Sequence, residues 1–351
     1  MKTIVYEVNP QQVDLAVMEK AADVLRQGGL VAFPTETVYG LGANGLDAAA
    51  CKKIYEAKGR PSDNPLILHI ASLSQLDQIV TEVPEMAKKL MDAFWPGPMT
   101  LILPKKDCVP LSVTGGLDTV GVRFPSHPVA QALIAAAALP IAAPSANVSG
   151  KPSPTKASHV LFDMDGKIDV IVDGGAADFG LESTIIDVTG PEAVILRPGA
   201  ITLEMVETLL GKASVDPAVL GKGDEKAVPK APGMKYTHYS PKAPVTLVRG
   251  GQEQVVEAIN ALAKEAKAQG KKVGVLATEE TKDGYEADFV LSAGAREDQK
   301  TIGARLFAIL RKLDYLGADL IYSEVFEESG EGLAIMNRLK KAAGYEVIEV
   351  K

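Results

Sequence analysis

The sequence has few of the residues that build disulfide frameworks or metal sites. Its two cysteines, Cys51 and Cys108, lie far apart and form no CxxC pair, so neither a zinc ribbon nor a disulfide scaffold is indicated. The four histidines show no HExxH or other ligand spacing, which argues against a metal site made by the protein alone. No apolar run approaches a membrane span and the first residues lack a signal-peptide core, so a cytoplasmic protein without membrane contact is expected.

The chain also lacks an excess of positive charge. It carries 37 Lys and Arg against 45 Asp and Glu, and its formal net charge is −8. An acidic body argues against tight non-specific binding of nucleic acid, which depends on neutralising phosphates. The cations are most concentrated in residues 212–243, where six lysines accompany three acidic residues. A local site for an anion therefore remains compatible with the composition.

Neither of two familiar phosphate-binding motifs occurs with the neighbouring residues that it requires. No GxxxxGK[ST] sequence occurs. The stretch GLGANG at 40–45 matches GxGxxG, but the apolar run 30–33 stops at Pro34, and six non-glycine residues separate it from Gly40. The acidic residue expected about twenty residues downstream is replaced by the turn-like sequence SDNP at 62–65. An NAD site is not predicted, and ATP would need another kind of binding site.

Helical and strand patterns alternate along the chain. At 351 residues the chain exceeds the usual size of one core, so two domains are expected. Residues 1–211 predict an α/β domain with a twisted mixed sheet and a concave site, and residues 245–351 predict a smaller Rossmann-like α/β domain. The Pro-, Gly- and Lys-rich stretch 212–244 between them resembles a solvated linker. Its Tyr236 and Tyr239 instead favour a segment that docks on a surface.

Five cations lie where strands or helices are predicted to end, beside Gly, Pro or Ser. Any one of them alone could be a solvated surface charge. Together they indicate an anion site, because α/β enzymes place their sites at such ends. The five are Lys58, Arg60, Arg123, Lys151 and Arg197.

Eight motifs in order carry a resemblance to a known family. Nearly the whole chain resembles the threonylcarbamoyl-AMP synthase family in its long two-domain form. That form has a YrdC-like domain, a linker and a small C-terminal domain. The motifs are PTETVYGLG (34–42), KGRPSDNPL (58–66), WPGPMTLIL (95–103), VGVRFPSHP (120–128), APSANVSGKPSPT (143–155), ESTIIDV (182–188), ILRPGAIT (195–202) and APGMKYTHYSP (231–241). The sequence GLAIMNRLKKAAG at 332–344 is similar to the family as well.

The resemblance implies a nucleotidyltransferase that makes threonylcarbamoyl-AMP and pyrophosphate from L-threonine, bicarbonate and ATP, with Mg²⁺ on the triphosphate. A separate tRNA threonylcarbamoyl transferase complex would use the product to modify the adenosine next to the anticodon. Direct contact with tRNA would be weak. A carbamate attacking an α-phosphate is a weak nucleophile meeting a polyanion, so catalysis should come from positioning and charge neutralisation.

The resemblance also implies two sets of site residues, of which Lys58, Arg60 and Arg123 would be catalytic. Arg123 would clamp the threonine carboxylate, for which a bidentate guanidinium is suited. The threonine set is Thr37, His69, Arg123, Ala143 and Ser183. The ATP set is Lys58, Arg60, Asn64, Thr119, Ser145, Asn147, Ser153, Arg197 and Tyr236. Through Tyr236 the linker would fold over the active site and exclude water, or that tyrosine would simply pack the linker against the surface.

Several of these residues have purely structural alternatives. Thr35 and Thr37 could be turn or cap residues. His69 could be a core histidine. Ser145 and Asn147 could cap a helix or form an Asx-turn after the predicted strand 140–143.

Two other functions stay open. One is an RNA-binding module without catalysis, although the acidic charge and the lack of an aromatic and basic RNA-reading motif argue against it. The other is a different carbamoyl-handling ATP enzyme, since a related domain occurs in the carbamoyltransferase that matures hydrogenases. That protein carries acylphosphatase and zinc-finger regions for which this chain has neither the length nor the cysteines.

Overall fold

The computed structural model describes residues 2–221, 231–232 and 238–351. The chain forms two compact units. The first comprises residues 1–149, 153–178 and 182–236, and the second comprises 150–152, 179–181 and 237–351. The domain limits expected from the sequence stay a prediction. The predicted linker 212–244 nevertheless begins with regular structure, a strand at Ala213–Val215 and a short helix at Pro217–Leu220.

The first unit is built on one eleven-stranded mixed sheet. Its strands are β1 Ile4–Glu7, β2 Val31–Phe33, β3 Gly40–Asn44, β4 Ile67–His69, β5 Met99–Pro104, β6 Thr119–Arg123, β7 Ile141–Ala142, β8 Val170–Asp173, β9 Thr184–Asp187, β10 Ala193–Arg197 and β11 Ala213–Val215. They lie in the order β1-β8-β2-β3-β7-β4-β6-β5-β9-β10-β11. The helices are α1 Leu15–Arg26, α2 Ala48–Lys58, α3 Leu73–Ile79, α4 Glu85–Phe94, α5 Leu111–Thr114, α6 Pro128–Ala137, α7 Ala157–Met164, α8 Leu203–Leu210 and α9 Pro217–Leu220.

Helix α2 is capped at both ends by residues that favour such positions. Asp47 caps its start by accepting hydrogen bonds from the backbone N–H groups of Ala49 and Ala50. Gly59 stops it with φ 61°, a left-handed conformation that glycine adopts without strain. Lys58 therefore occupies the last turn, and Arg60 begins the following loop.

The glycine pattern at 40–45 lies in and directly after strand β3, which pairs with β2 and β7. A Cβ atom on Gly42 would lie 2.9 Å from the Phe33 ring and 2.9 Å from the Ile141 side chain. Glycine is needed there for close packing inside a sheet. The pattern is thus not the turn between strand and helix that a pyrophosphate site uses.

The large sheet has a hydrophobic core on both faces. Val31 and Phe33 of β2 belong to a cluster with residues of α1 and α6, whereas the intervening Ala32 belongs to a larger cluster with residues of α2 and α4. Alternate residues of a strand point to opposite faces. Helices therefore cover both sides of the sheet around β2, which confirms the predicted α/β class.

The second unit holds a parallel five-stranded sheet in the order β14-β13-β15-β12-β16. Its parallel strands alternate with helices, which confirms the Rossmann-like architecture. No helix in the part of the chain that the structure describes is long and apolar enough to cross a membrane. The strands are β12 Val245–Arg249, β13 Val273–Ala277, β14 Phe289–Ser292, β15 Leu320–Glu324 and β16 Val347–Glu349, and the helices are α10 Gln252–Ala268, α11 Gln299–Leu316 and α12 Gly332–Ala342.

Candidate functional site

Three neighbouring strands bring a row of polar side chains to one face of the large sheet. His69 at the end of β4 pairs with Arg123 at the end of β6, and Thr100 of β5 pairs with Arg123 from the other side. Paired residues point to the same face, and neighbouring strands lie about 4.8 Å apart. All three residues are buried. Strand register thus brings together two predicted threonine contacts, His69 and Arg123, and adds Thr100.

A buried carboxylate faces this row. Glu36 lies in the loop between β2 and β3, and its Oε1 atom is 2.8 Å from Nη2 of Arg123. Both side chains are about 95 % buried, at 4 % and 5 % exposed. The two atoms are close enough for an ion pair but lack hydrogen-bond geometry, and Arg123 Nε also has no hydrogen-bond partner among the described residues. The guanidinium therefore keeps donor capacity for a further acceptor.

His69 is held as a neutral ring. Burial lowers its pKa to about 3, and the positive charge of Arg123 acts in the same direction. Nδ1 lies 3.2 Å from the Ile67 carbonyl oxygen, and the Phe33 ring packs edge-on against the imidazole. A hydrogen bond from Nδ1–H to this carbonyl leaves Nε2 as an acceptor. His69 can thus accept a hydrogen bond from a ligand but cannot serve as a cation at neutral pH.

The neutral His69 predicts a loss of stability in acid. In the unfolded chain His69 has an ordinary pKa near 6.5, so it binds a proton below that pH. In the folded protein it stays neutral down to about pH 3. This stabilisation is complete above pH 6.5 and falls by up to about 1.4 kcal/mol per pH unit as the pH drops toward 3. Urea unfolding between pH 4 and 7 should show this loss in the wild type and a shallower one in His69→Gln. Identical slopes for the two proteins would contradict it.

Thr35 has a structural role in the loop that carries Glu36. Its hydroxyl donates to the Val38 carbonyl at 2.6 Å, accepts from the backbone N–H of Thr37, and lies 2.9 Å from the Thr37 hydroxyl. The structure therefore supports the turn role for Thr35. Thr37, the predicted ligand contact, is buried beside it in the same loop.

A β-bulge turns Arg197 onto the face of the polar row, because it pairs Arg197 with Ile185, which pairs in turn with Thr100 of β5. Ile195 of β10 pairs with Ile186, but the register then shifts, and Arg197 pairs with Ile185. Because Ile185 and Ile186 point to opposite faces, the extra residue Leu196 places Arg197 on the face opposite Ile195. Bulges commonly redirect a side chain in this way.

Arg197 and Ser183 form one connected polar network. Arg197 donates from Nε to the Ser183 carbonyl at 3.0 Å and from Nη2 to the Ser183 hydroxyl at 3.1 Å. The same hydroxyl lies 2.8 Å from that of Thr100, and Arg197 Nη1 lies 3.4 Å from the Pro232 carbonyl. The preceding Ala231 packs with Ile67 and other apolar residues of this sheet. Arg197, a predicted ATP contact, is thus hydrogen-bonded directly to Ser183, a predicted threonine contact.

Lys58 binds the loop that follows β7. Its buried Nζ donates to the carbonyl oxygens of Ser145 and Asn147 at 2.5 and 2.6 Å. The Ser145 hydroxyl donates to the Asn147 side-chain oxygen at 2.5 Å. No described helix begins next to these residues, since α7 starts at Ala157, so the helix-cap alternative is wrong for Ser145 and Asn147. Lys58 therefore orients two predicted ATP contacts in addition to its predicted role toward phosphate.

The other predicted site residues lie in several different parts of the chain. Arg60 donates to the carbonyl oxygens of Asn64 and Pro65 and closes the loop after α2. Thr119 lies on the same face of β6 as Arg123, but four residues away, about 13 Å along the strand. Ala143 is buried and donates its backbone N–H to the Ile67 carbonyl. The Ser153 hydroxyl donates to the Glu182 carboxylate. Tyr236 lies outside the described residues.

Sequence reasoning missed three buried residues of this site, Glu36, Thr100 and Glu182. Each lies inside a motif that carries the family resemblance, which was the available signal. Within the described residues no group of three or more His, Cys, Asp or Glu side chains is arranged to hold a metal ion.

Comparison with known proteins adds independent findings. Residues 23–199 match a family described as "Telomere recombination", and residues 201–344 match one described as "Threonylcarbamoyl-AMP synthase, C-terminal domain". Over 330 residues the chain is 53 % identical to the threonylcarbamoyl-AMP synthases of Pyrococcus abyssi and Bacillus subtilis, covering 94 % of this chain and 95 % and 93 % of theirs. It is similar to the crystal structure of P. abyssi Sua5 complexed with L-threonine, with a TM-score of 0.94 and 51 % identity over 99 % of this chain and 100 % of that chain.

Proposed function

The chain belongs to the threonylcarbamoyl-AMP synthase family of enzymes, and we propose that it is the nucleotidyltransferase that makes threonylcarbamoyl-AMP. The threonine amine combines with bicarbonate and loses water to form a carbamate. A carbamate oxygen attacks the α-phosphorus of ATP, the bond to the β-phosphate bridging oxygen breaks, and pyrophosphate leaves. The product would pass to a tRNA threonylcarbamoyl transferase complex.

The observation that carries this proposal is the buried pair of Arg123 and Glu36. An amino acid presents a carboxylate and an amine close together, and a cation beside an anion complements both. Arg123 would bind the threonine carboxylate with the donors that it does not use within the described chain. Glu36 would hold the amine, and the neutral His69 and the Thr37 hydroxyl would contact the threonine side chain. Burial strengthens each of these interactions because the local dielectric constant is low.

The nucleotide would lie along the loops that end nearby. Lys58 holds the Ser145–Asn147 loop, and Arg60 shapes the loop that carries Asn64. Arg197 would neutralise charge that develops on the α-phosphate, since its bulge directs it to the same face as Arg123.

Catalysis in this proposal depends on positioning. A His69 ring that is neutral at pH 7 does not act as an acid, and it is not required to. Cations and hydrogen-bond donors that are already fixed before the substrates arrive stabilise the charge of the attacking carbamate and the leaving pyrophosphate without reorganising.

Mg²⁺ would enter with ATP. It keeps several waters and is commonly bound through substrate phosphates with few protein ligands. The lack of a cluster of acidic metal ligands among the described residues is therefore no objection to Mg²⁺. When bound, the ion would neutralise charge on the triphosphate.

Product formation by the purified chain tests the proposal. With L-threonine, bicarbonate, ATP and MgCl₂, we expect threonylcarbamoyl-AMP by mass spectrometry and one pyrophosphate per product. Omission of threonine or chelation of Mg²⁺ should remove both signals. Pyrophosphate release that does not depend on threonine would contradict the proposal. Tight, steeply salt-dependent binding of tRNA without turnover would instead support the RNA-binding module.

A further inference from the structure

The second unit includes two short segments from the middle of the chain. Residues 150–152 and 179–181 belong to it together with residues 237–351. Each segment is followed directly by residues of the candidate site. Ser153 follows the first, and Glu182 and Ser183 follow the second. The Ser153 hydroxyl donates a hydrogen bond to the Glu182 carboxylate, so the residues that the two segments lead to are themselves joined.

Helix α11 binds the first segment through Arg311. The guanidinium donates from Nε and from Nη2 to the Pro152 carbonyl oxygen, at 3.1 and 2.6 Å. Hydrogen bonds from a charged donor are about twice as strong as those between neutral groups. Pro152 immediately precedes Ser153, so this contact holds the backbone next to a predicted ATP contact.

The same helix packs tightly against the second segment. Gly180 has φ +70°, and a Cβ atom on it would lie 2.5 to 2.7 Å from the Cα, O and C atoms of Ala304. These are backbone atoms, so the collision could not be relieved by a side-chain rotation. On the neighbouring position of α11, a Cβ atom on Gly303 would lie 3.4 Å from the Leu181 side chain and 3.6 Å from the Phe179 carbonyl oxygen. The backbone of α11 at Ala304 therefore leaves no room for a side chain at position 180.

One side of α11 makes both contacts. Ala304 and Arg311 are seven residues apart, about two turns of a helix, and therefore lie on the same side. We propose that α11 positions both site-flanking segments, with Arg311 and Gly180 as positioning residues for Ser153 and for Glu182 and Ser183. The site assignments of Ser153 and Ser183 rest on the proposed function. The contacts with α11 do not.

The first test compares two glycines of the same loop region. Gly180→Ala should lower kcat/KM about 10²-fold, because a displacement of about 1 Å remote from the reacting atoms can cost that much. Gly175→Ala is the matched control, since Gly175 also has a left-handed φ of +90° but no atom lies within 4 Å of its Cβ position. It should keep activity within about twofold of wild type, as surface substitutions usually do. Equal activity of the two variants would overturn the role of Gly180.

The second test uses Arg311 and keeps the proposal testable if Gly180→Ala fails to fold. Arg311→Met should raise KM for ATP about tenfold with a smaller change in kcat, and Arg311→Lys should recover part of the loss. Arg305→Met on the exposed part of the same helix is the matched control. A loss of melting temperature in Arg311→Met without any change in KM would overturn the positioning role.

Amide hydrogen exchange separates this proposal from the proposed function. In Gly180→Ala and Arg311→Met, residues 153–156 and 182–185 should exchange faster than in the two control variants, whether or not the wild type turns over. A wild type without threonylcarbamoyl-AMP synthesis would refute the proposed function alone. Unchanged exchange at both stretches would refute the positioning by α11 alone.

Discussion

Replacement of Arg123 by alanine is expected to remove threonine-dependent product formation and to destabilise the fold. Catalytic efficiency toward threonine should fall about 10³-fold, because truncating one member of a buried charge pair costs several kcal/mol. The free energy of unfolding should fall by about 3–5 kcal/mol, because the Glu36 carboxylate would stay buried without its partner. Steady-state kinetics and urea unfolding measure the two effects.

This expected loss of stability differs from what the motifs alone predict. From the sequence, Arg123 is expected to line a site and not to hold the core together, so that alanine would cost little stability. The buried pairing with Glu36 at 2.8 Å instead predicts a substantial loss.

A double variant separates the two roles of Arg123. In Arg123→Met with Glu36→Gln both charges are removed, so most of the stability should return while activity stays absent. Arg26→Ala, at the exposed end of α1, controls for the loss of an arginine. A double variant as unstable as Arg123→Ala would contradict the pairing, and wild-type turnover in Arg123→Ala would contradict its binding of substrate.

Replacement of Arg197 by methionine is expected to impair the use of both threonine and ATP. The guanidinium donates to the carbonyl and the hydroxyl of Ser183, and each bond from a charged donor contributes about 1.5–3 kcal/mol. We therefore expect kcat/KM to fall about 10²-fold toward each substrate. A residue that contacts only the nucleotide would change the ATP parameters alone, so the pair of KM values decides between these roles.

Ser183→Ala provides the matched comparison for Arg197→Met. It removes the hydroxyl that contacts both Thr100 and Arg197 but leaves the Ser183 carbonyl in place. Its effect should be larger for threonine than for ATP. The double variant should lose less than the sum of the single losses, by about 0.5–3 kcal/mol, as expected for contacting residues. Strict additivity would show that Arg197 does not act through Ser183.

Local features of this protein could be predicted from short windows of sequence. The end of α2 at Gly59 follows from glycine's access to left-handed φ values. The rejection of the glycine pattern at 40–45 follows from Pro34 and the missing acidic residue, and the structure shows why the glycines are there, since Gly42 packs against the Phe33 ring. The resemblance itself depends on motifs of seven to thirteen residues.

The contacts between site residues could not be predicted in the same way. The pairing of His69 with Arg123 joins strands more than fifty positions apart, and the pairing of Glu36 with Arg123 joins positions still further apart. The bulge at Leu196 exists only relative to β9, so no pattern within β10 indicates which face Arg197 occupies. Each of these contacts forms between two segments that are distant in the sequence, so neither segment predicts the contact alone.

Short stretches of the sequence predict that helices and strands alternate, which family the motifs resemble and which side chains could bind an anion. The pairing of Arg123 with Glu36, the hydrogen bonds from Arg197 to Ser183 and the contacts of α11 with Pro152 and Gly180 are visible only in the folded chain. The two groups of features differ in the distance along the chain over which their causes act. Capping, turn and periodicity preferences act over a few neighbouring residues, whereas strand register, bulges and buried charge pairs depend on which distant segments the packed core brings together.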